Sequence, residues 1–170
     1  MNNNKNINIA IVGLGQIGIY LYNELKFKKK DIEIKTGKKI NVVAISAKNI
    51  NKKRRFKIDK KIFFKNPLEI FKNTKIDILF EVIGKSDSIS KKIVETAIKN
   101  KIHVITPNKA LISKHGDYLS KLAELNNVNL EFEASVAGGI PILRTIKEGL
   151  ATNKINKVYG ILNGTTNYIL

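Results

Sequence analysis

The sequence predicts an α/β fold with a doubly wound parallel sheet, that is, a sheet covered by helices on both faces. Strand patterns and helix patterns alternate four times along the chain, which is the order that builds parallel sheets. A glycine-rich turn joins the first strand pattern to the first helix pattern. With 170 residues, 43% hydrophobic and 26% charged, the chain can form one globular domain and the start of a second.

Five short apolar segments have the length and composition of strands, and each ends in a turn or a polar segment. They are residues 7–12, 40–45, 76–83, 102–105 and 128–132.

Helical spacing of apolar residues predicts the elements between these strands. A helix follows the glycine-rich turn, with Ile17, Leu21 and Leu25 on one face. Further helices are expected at residues 67–71, where Pro67 occupies the first turn, at 89–97, at 118–125 and at 141–150. Residues 26–39 form a basic, polar insertion with a turn signal at Thr36-Gly37, and residues 49–65 have no regular pattern.

The turn after the first strand contains Gly13, Gly15 and Gly18 in the spacing G-x-G-x-x-G. The first glycine allows a tight turn, the second lets a pyrophosphate approach the backbone, and the third lets the helix pack closely on the strand. Such a string alone is weak evidence. Between a first strand and a first helix, it predicts a Rossmann-type dinucleotide-binding domain.

The end of the second strand indicates which dinucleotide is bound. NAD-preferring domains usually carry an acidic residue there for the ribose 2′-OH, but no Asp or Glu occurs between Ile34 and Ile58. Lys48 follows the strand instead, and residues 52–55 are all basic. A cationic pocket suits a 2′-phosphate, so NADP is predicted with Lys48 as a contact, and NAD is the alternative. The alternative interpretation of these lysines is a solvated loop in a lysine-rich chain.

Composition narrows the classes of function. The chain has no cysteine, which excludes disulfides, thiolate metal sites and a thiol nucleophile. A net charge of +17 invites a nucleic-acid interpretation, but only Arg54, Arg55 and Arg144 are arginines, and the lysines are spread along the chain. We therefore expect solvated lysines and no nucleic-acid partner.

No apolar stretch is long enough for a membrane span and no secretory signal is evident, so a cytoplasmic location is expected.

Three later segments are more specific than the glycine turn. They are residues 106–111 (TPNKAL), 132–142 (FEASVAGGIPI) and 161–170 (ILNGTTNYIL). In this order and spacing the chain resembles the homoserine dehydrogenases from its first strand to its last residue. The resemblance implies NAD(P)H-dependent reduction of aspartate 4-semialdehyde to homoserine, on the route to threonine, methionine and isoleucine. It also implies a homodimer, with a Rossmann domain at residues 1–150 and the beginning of a second, α+β catalytic and dimerisation domain at 151–170.

The resemblance also assigns residues to the site. The implied cofactor contacts are Gly13, Gly15, Gln16, Ile17, Gly18, Thr106, Lys109 and Gly164. Lys109 is matched to a catalytic lysine that contacts cofactor and substrate, and Gly164 and Thr165 to substrate-binding positions. A sodium ion is implied at Glu133, Val136, Gly138 and Ile140. A loop without metal at 133–140 and a plain turn at 164–167 are the alternatives.

The sequence also departs from the family pattern. The usual proton donor, a lysine downstream of residues 164–167, does not occur within the 170 residues. We therefore expect cofactor binding with negligible turnover, which keeps a non-catalytic NADP-binding module as the second interpretation and a nucleic-acid-binding protein as the third. Aspartate-semialdehyde dehydrogenase is excluded, because that enzyme needs a cysteine nucleophile.

Overall fold

The structure, a computed structural model, describes residues 6–84 and 88–160. Their strands form one six-stranded parallel sheet in the order β3-β2-β1-β4-β5-β6. The strands are β1 (Asn6–Val12), β2 (Lys39–Ser46), β3 (Phe63–Phe64), β4 (Ile78–Glu81), β5 (His103–Ile105) and β6 (Leu130–Glu131). The predicted parallel α/β sheet is confirmed. The chain runs outward from β1 in both directions, so the crevice at the switch point lies beyond the carboxyl ends of β1 and β4.

Six α-helices connect and extend the strands in the described part of the chain. They are α1 (Gln16–Phe27), α2 (Lys29–Thr36), α3 (Ile70–Asn73), α4 (Ser88–Lys99), α5 (Lys109–Leu125) and α6 (Ile142–Arg144). Short 3-10 turns occupy Lys60–Ile62, Pro67–Glu69 and Glu133–Ser135, and a π-helical turn at Thr145–Gly149 continues α6. None of the described helices is long and apolar enough to cross a lipid bilayer.

Two apolar clusters show that the sheet is doubly wound. Alternate residues of a strand point to opposite faces, and β1 contributes Ile9 and Ile11 to one cluster but Ala10 and Val12 to the other. The first cluster contains residues of α1, and the second contains residues of α4 and α5. Helices therefore cover both faces of the sheet, as the sequence predicted.

Three elements differ from the sequence-based expectation. The helix expected at 118–125 begins at Lys109, because the Asn108 side chain accepts a hydrogen bond from the backbone N–H of Leu111 and caps a longer helix. The polar insertion at 26–39 contains α2, which ends at Gly37 in the left-handed conformation (φ 66°). β3 was not predicted, since two residues are too few for a strand pattern.

The structure describes the carboxyl-terminal segment 151–170, where the resemblance implies the beginning of an α+β domain, only as far as residue 160. Residues 155–160 form no regular secondary structure, and residues 161–162 lie outside the described part of the chain. Regular structure in the described residues therefore ends at the π-helical turn after α6.

Candidate dinucleotide-binding site

The three glycines of the turn after β1 have different steric surroundings. Gly13 has φ +105°, and a Cβ there would lie 2.6 Å from the carbonyl oxygen of Val82. A Cβ at Gly18 would lie 1.9 Å from the carbonyl oxygen of Gly13. A Cβ at Gly15 would have no neighbouring atom within 4 Å. Gly13 and Gly18 are therefore required by the protein's own packing, whereas Gly15 faces open space.

The amino terminus of α1 lies directly after this turn. Gly15 is its N-cap and provides no side-chain cap, and the first turn contains no acidic residue. The first N–H groups of a helix have no partner within the helix, and its dipole favours a negative charge at this end. The helix start at Gln16, Ile17 and Gly18 is therefore suited to bind a phosphate group beside Gly15.

A cavity of about 430 Å³ lies on the β2 side of the glycine turn. Its walls include Gly13 and Gly15 together with Ser46, the last residue of β2. Among the described residues that line it, the charged ones are all basic: Lys48, Lys52, Arg54 and Lys65. Lys48 is exposed at this cavity. The predicted cationic pocket after β2 thus exists as a cavity continuous with the glycine turn.

Arg54 organises the loop that forms one wall of this cavity. Its guanidinium donates to the carbonyl oxygens of Asn49 (2.6 Å), Ile50 (3.1 Å) and Lys52 (3.0 Å). Nε also lies 3.4 Å from the carbonyl oxygen of Leu14, in the glycine turn. Arg54 therefore fixes the loop at 49–53 and joins it to the turn. Sequence reasoning missed this role because it treated residues 52–55 as one basic group.

We expect Arg54→Lys to loosen the loop. An ammonium group is compact and cannot reach four carbonyl oxygens arranged around a planar guanidinium. The free energy of unfolding should fall by about 1–2 kcal/mol, and amide hydrogen exchange at residues 49–53 should accelerate. Arg55→Lys is the matched control, since Arg55 is exposed and lies over the Phe56 ring at 5.4 Å. Equal exchange rates in the two variants would contradict the role given to Arg54.

The turn from β5 to α5 lies at the same edge of the sheet. Thr106 is completely buried, Asn108 is 3% exposed, and Lys109 is exposed as the first residue of α5. The Thr106 hydroxyl donates to Oε2 of Glu81 at 2.7 Å and accepts from the backbone N–H of Asn108 at 3.1 Å. The structure thus brings Thr106 and Lys109 to the carboxyl edge of the sheet, together with a buried glutamate that sequence reasoning did not identify.

A second cavity, of about 810 Å³, lies on the α1 side of the glycine turn. Most of its wall is apolar, and it reaches the carboxyl ends of β4 and β5. Among the lining residues are Gln16, Ile17, Val82, Ile105, Pro107 and Ala134. The two cavities flank the start of α1. An elongated ligand with a charged centre can therefore lie across the switch point with one end in each cavity.

The segment predicted to hold sodium follows β6. The Glu133 carboxylate accepts hydrogen bonds from the backbone N–H groups of Leu143 (3.0 Å) and Arg144 (2.8 Å), so it caps α6. Val136 is half-buried, whereas Gly138 and Ile140 are exposed. No group of three or more His, Cys, Asp or Glu residues that could hold a metal ion occurs in the described ranges. Gly164 and Thr165 lie outside the described residues.

Comparison with known proteins identifies the family. Residues 13–133 match the model of the homoserine dehydrogenase NAD-binding domain, and residues 141–170 match the homoserine dehydrogenase model. Homoserine dehydrogenases from Neisseria gonorrhoeae and Bacillus subtilis are 37% and 35% identical over 166 residues, which cover 98% of this chain and 38% of each relative. The chain therefore spans about 38% of the length of these relatives.

Solved structures agree with the sequence matches. The homoserine dehydrogenase from Thiobacillus denitrificans superimposes with a TM-score of 0.79 at 34% identity, over 97% of this chain and 38% of that one. The Staphylococcus aureus enzyme at pH 7.5 gives 0.72 at 36% identity, over 78% of this chain and 34% of that one. With these matches and the glycine turn at the switch point, the chain belongs to the homoserine dehydrogenase family and contains its NAD-binding domain.

Proposed function

We propose that this protein reduces L-aspartate 4-semialdehyde to L-homoserine with NAD(P)H, in the biosynthesis of threonine, methionine and isoleucine. The observation that carries the proposal is the glycine turn at the switch point, where Gly15 opens onto the amino terminus of α1 between two cavities. The family membership of the chain supports the choice of reaction. Because this chain spans about 38% of the length of its relatives, the activity is to be tested in the whole protein.

The site suits each part of the cofactor. Gly13, Gly15 and the first turn of α1 (Gln16, Ile17 and Gly18) would hold the pyrophosphate, because the backbone there is open and the helix dipole favours an anion. The basic cavity would hold the adenosine half, and the apolar cavity would receive the nicotinamide end. NADP is preferred over NAD in this proposal, since four basic side chains and no acidic one line the first cavity among the residues that the structure describes.

Lys109 is the proposed catalytic residue among the described residues. Bound NAD(P)H would supply the hydride for the reduction, and the lysine that the family carries downstream of residues 164–167 would supply the proton that converts the resulting alkoxide into the alcohol. The exposed ammonium of Lys109, at the start of α5, would orient the substrate and stabilise negative charge on the aldehyde oxygen as the carbonyl is reduced. The Thr106 hydroxyl donates a hydrogen bond to Glu81, so its role would be to shape the nicotinamide end of the site. Gly164 and Thr165 are proposed as substrate contacts, with Gly164 also near the cofactor.

A sodium ion at Glu133, Val136, Gly138 and Ile140 is part of the proposal. The Glu133 carboxylate is committed to two N–H groups of α6, so an ion there would be held mainly by backbone carbonyl oxygens. Ala137 and Gly139 have positive φ angles of 45° and 87°, and these reversals turn successive carbonyl groups in different directions. A segment of this kind suits a hard monovalent cation.

The proposed domain organisation places the nucleotide-binding domain at residues 1–150 and the beginning of the substrate and dimerisation domain at 151–170. The α6 segment, with its π-helical turn, would lead from one to the other. We further propose a cytoplasmic homodimer. No nucleic-acid partner is proposed, because the basic cavity beside the glycine turn is accounted for by a 2′-phosphate.

The cofactor proposal is tested by titrating the chain with NADPH and NADH and measuring nucleotide fluorescence. We expect NADPH to bind more tightly, and Lys48→Ala to weaken NADPH binding about tenfold while changing NADH binding little, because only the 2′-phosphate loses a charge-assisted contact. Lys35→Ala is the matched control, an exposed lysine in the last turn of α2. Equal losses for both nucleotides, or no binding of either, would contradict the proposal.

The reaction is tested by following the loss of NADPH absorbance after addition of aspartate 4-semialdehyde to the whole protein. Lys109→Ala should lower kcat by about a hundredfold, since one electrostatic contact to the developing charge is lost. Lys114→Ala, on the same helix, is the control. Unchanged turnover in the Lys109 variant would exclude its proposed role.

A further inference from the structure

A buried carboxylate lies beneath the β5–α5 turn and has no assigned role in the proposed reaction. Glu81 is the last residue of β4 and pairs with Val12 of β1, directly before the glycine turn. Its residue exposure is 0%. Burying a carboxylate among apolar residues is costly unless hydrogen-bond donors compensate for the lost water. The position of those donors therefore indicates what the carboxylate does.

Within the described ranges three donors converge on Glu81, and two of them come from the β5–α5 turn. The backbone N–H of Ile83 donates to Oε1 at 3.0 Å. The Thr106 hydroxyl and the Asn108 side-chain amide donate to Oε2, at 2.7 and 3.4 Å. Glu81 thus links the end of β4 to a turn that lies 25 residues later in the chain at Thr106.

The chemistry of a carboxylate imposes an orientation on both partners. An ionised carboxylate only accepts hydrogen bonds. The Thr106 hydroxyl must therefore donate toward Glu81, which leaves its oxygen to accept from the backbone N–H of Asn108 at 3.1 Å. The Asn108 side chain must turn its NH2 group toward Glu81, which directs its oxygen to the backbone N–H of Leu111 at 3.1 Å.

This orientation is the one that caps α5. Asn108 is the N-cap residue, and its oxygen satisfies an N–H group of the first turn. Lys109 follows immediately as the first helical residue. We propose that Glu81 is a positioning residue, which selects the capping orientation of Asn108 and so holds the start of α5, with Lys109, at the cofactor edge of the sheet. The consequence for the cofactor depends on the proposed function, but the hydrogen-bond network does not.

Glu81→Gln tests this inference with almost no change in volume. Glutamine has one acceptor oxygen and one NH2 group, so either Ile83 or the Thr106–Asn108 pair must face a donor in place of an acceptor. We expect amide exchange at Leu111 to accelerate at least about tenfold, because its cap is weakened. The control amide is that of Leu68, which is capped by Asn66 at 3.0 Å and has no link to Glu81.

Exchanging the carboxylate and the amide between positions 81 and 108 distinguishes a positioning role of Glu81 from a role in packing alone. Asn108→Asp alone places a second carboxylate against Glu81, and we expect it to accelerate exchange at Leu111 more than Glu81→Gln does. In the double variant, Glu81→Gln with Asn108→Asp, the glutamine NH2 can donate to one aspartate oxygen while the other still caps Leu111. Protection at Leu111 should return to within about threefold of the wild type. If Glu81 only fills space, the double variant should be at least as perturbed as the worse single variant.

NADPH binding supplies the second readout. The Kd should rise about tenfold in Glu81→Gln and recover in the double variant, whereas Glu95→Gln, on α4 and paired with Lys91 at 3.6 Å, should bind as the wild type does. Normal Leu111 protection in Glu81→Gln would overturn the inference. Rescue of exchange in a chain that binds no NADPH would leave the positioning intact and overturn the proposed function instead. Should Glu81→Gln fail to fold, a folded double variant with a protected Leu111 would support the inference, and an equally unfolded one would refute it.

Discussion

We expect Gly18→Ala to lower the free energy of unfolding by about 3 kcal/mol or more. The added Cβ would lie 1.9 Å from the carbonyl oxygen of Gly13 and 3.0 Å from Cγ2 of Val82. A side-chain contact can relax by rotation, but here the nearest atom belongs to the backbone of the glycine turn. α1 must therefore move away from β1, and packing around Ile19 and Tyr22 must loosen. Urea unfolding followed by circular dichroism measures the loss.

Gly116→Ala is the matched control for this prediction. Gly116 is also helical, but a Cβ there would meet only the side chain of Ile112, at 3.2 Å. That contact is short by only a few tenths of an ångström, and alanine has the higher helix propensity by about 1 kcal/mol, which offsets the cost of relieving it. The free energy of unfolding of Gly116→Ala should therefore stay within about 1 kcal/mol of the wild-type value. Similar losses in both variants would show that the close contact at Gly18 is not decisive.

Gly15→Ala is expected to have the opposite profile, with a normal fold and a large loss of cofactor binding. Gly15 has φ −73° and ψ −162°, which alanine adopts readily, and no atom lies within 4 Å of the added Cβ. The free energy of unfolding should change by less than about 0.5 kcal/mol. The new methyl group would occupy the open side of the turn, where the pyrophosphate must approach the backbone. NADPH affinity should therefore fall by about a hundredfold or more, as measured by fluorescence titration.

Gly149→Ala controls for the general effect of replacing a glycine. A Cβ at Gly149 would lie 3.9 Å from Cγ2 of Thr145, an ordinary van der Waals contact, and this residue is not part of either cavity beside the glycine turn. It should retain both stability and NADPH affinity. Binding by Gly15→Ala with wild-type affinity would place the pyrophosphate elsewhere and would remove the main support for the proposed function.

The Gly18 and Gly15 variants show which properties of the glycine turn the sequence pattern predicts and which it does not. The spacing of Gly13, Gly15 and Gly18 predicts a phosphate-binding turn, and the sheet that the structure shows places this turn at the switch point. The pattern does not indicate which glycine serves packing in this chain and which faces open space. That distinction depends on the carbonyl oxygens of Val82 and Gly13, whose positions follow from the packing of β4 and α1.

The differences between the predicted and the observed secondary structure have physical causes. Asn108 extends α5 through a side-chain hydrogen bond to Leu111, and an asparagine shortly before the apolar residues Ala110 and Leu111 is itself an N-cap signal that the sequence-based prediction did not use. β3 has no comparable signal. Phe63 and Phe64 become a strand only because β2 offers free backbone groups beside them, at Ile45 and Ser46.

The amino-acid sequence was sufficient to predict the parallel α/β class, the dinucleotide turn, the carboxylate-free end of β2 and the family. These features are recognised from the spacing of apolar residues and from short motifs, and both depend on residues close together in the chain. Only the tertiary structure revealed the roles of Arg54 and Glu81. The Arg54 contact to Leu14 spans 40 residues, and the Glu81 contact to Thr106 spans 25. Such partners become neighbours only when the strands align at one edge of the sheet, because the pairing depends on packing and on the need to satisfy buried polar groups.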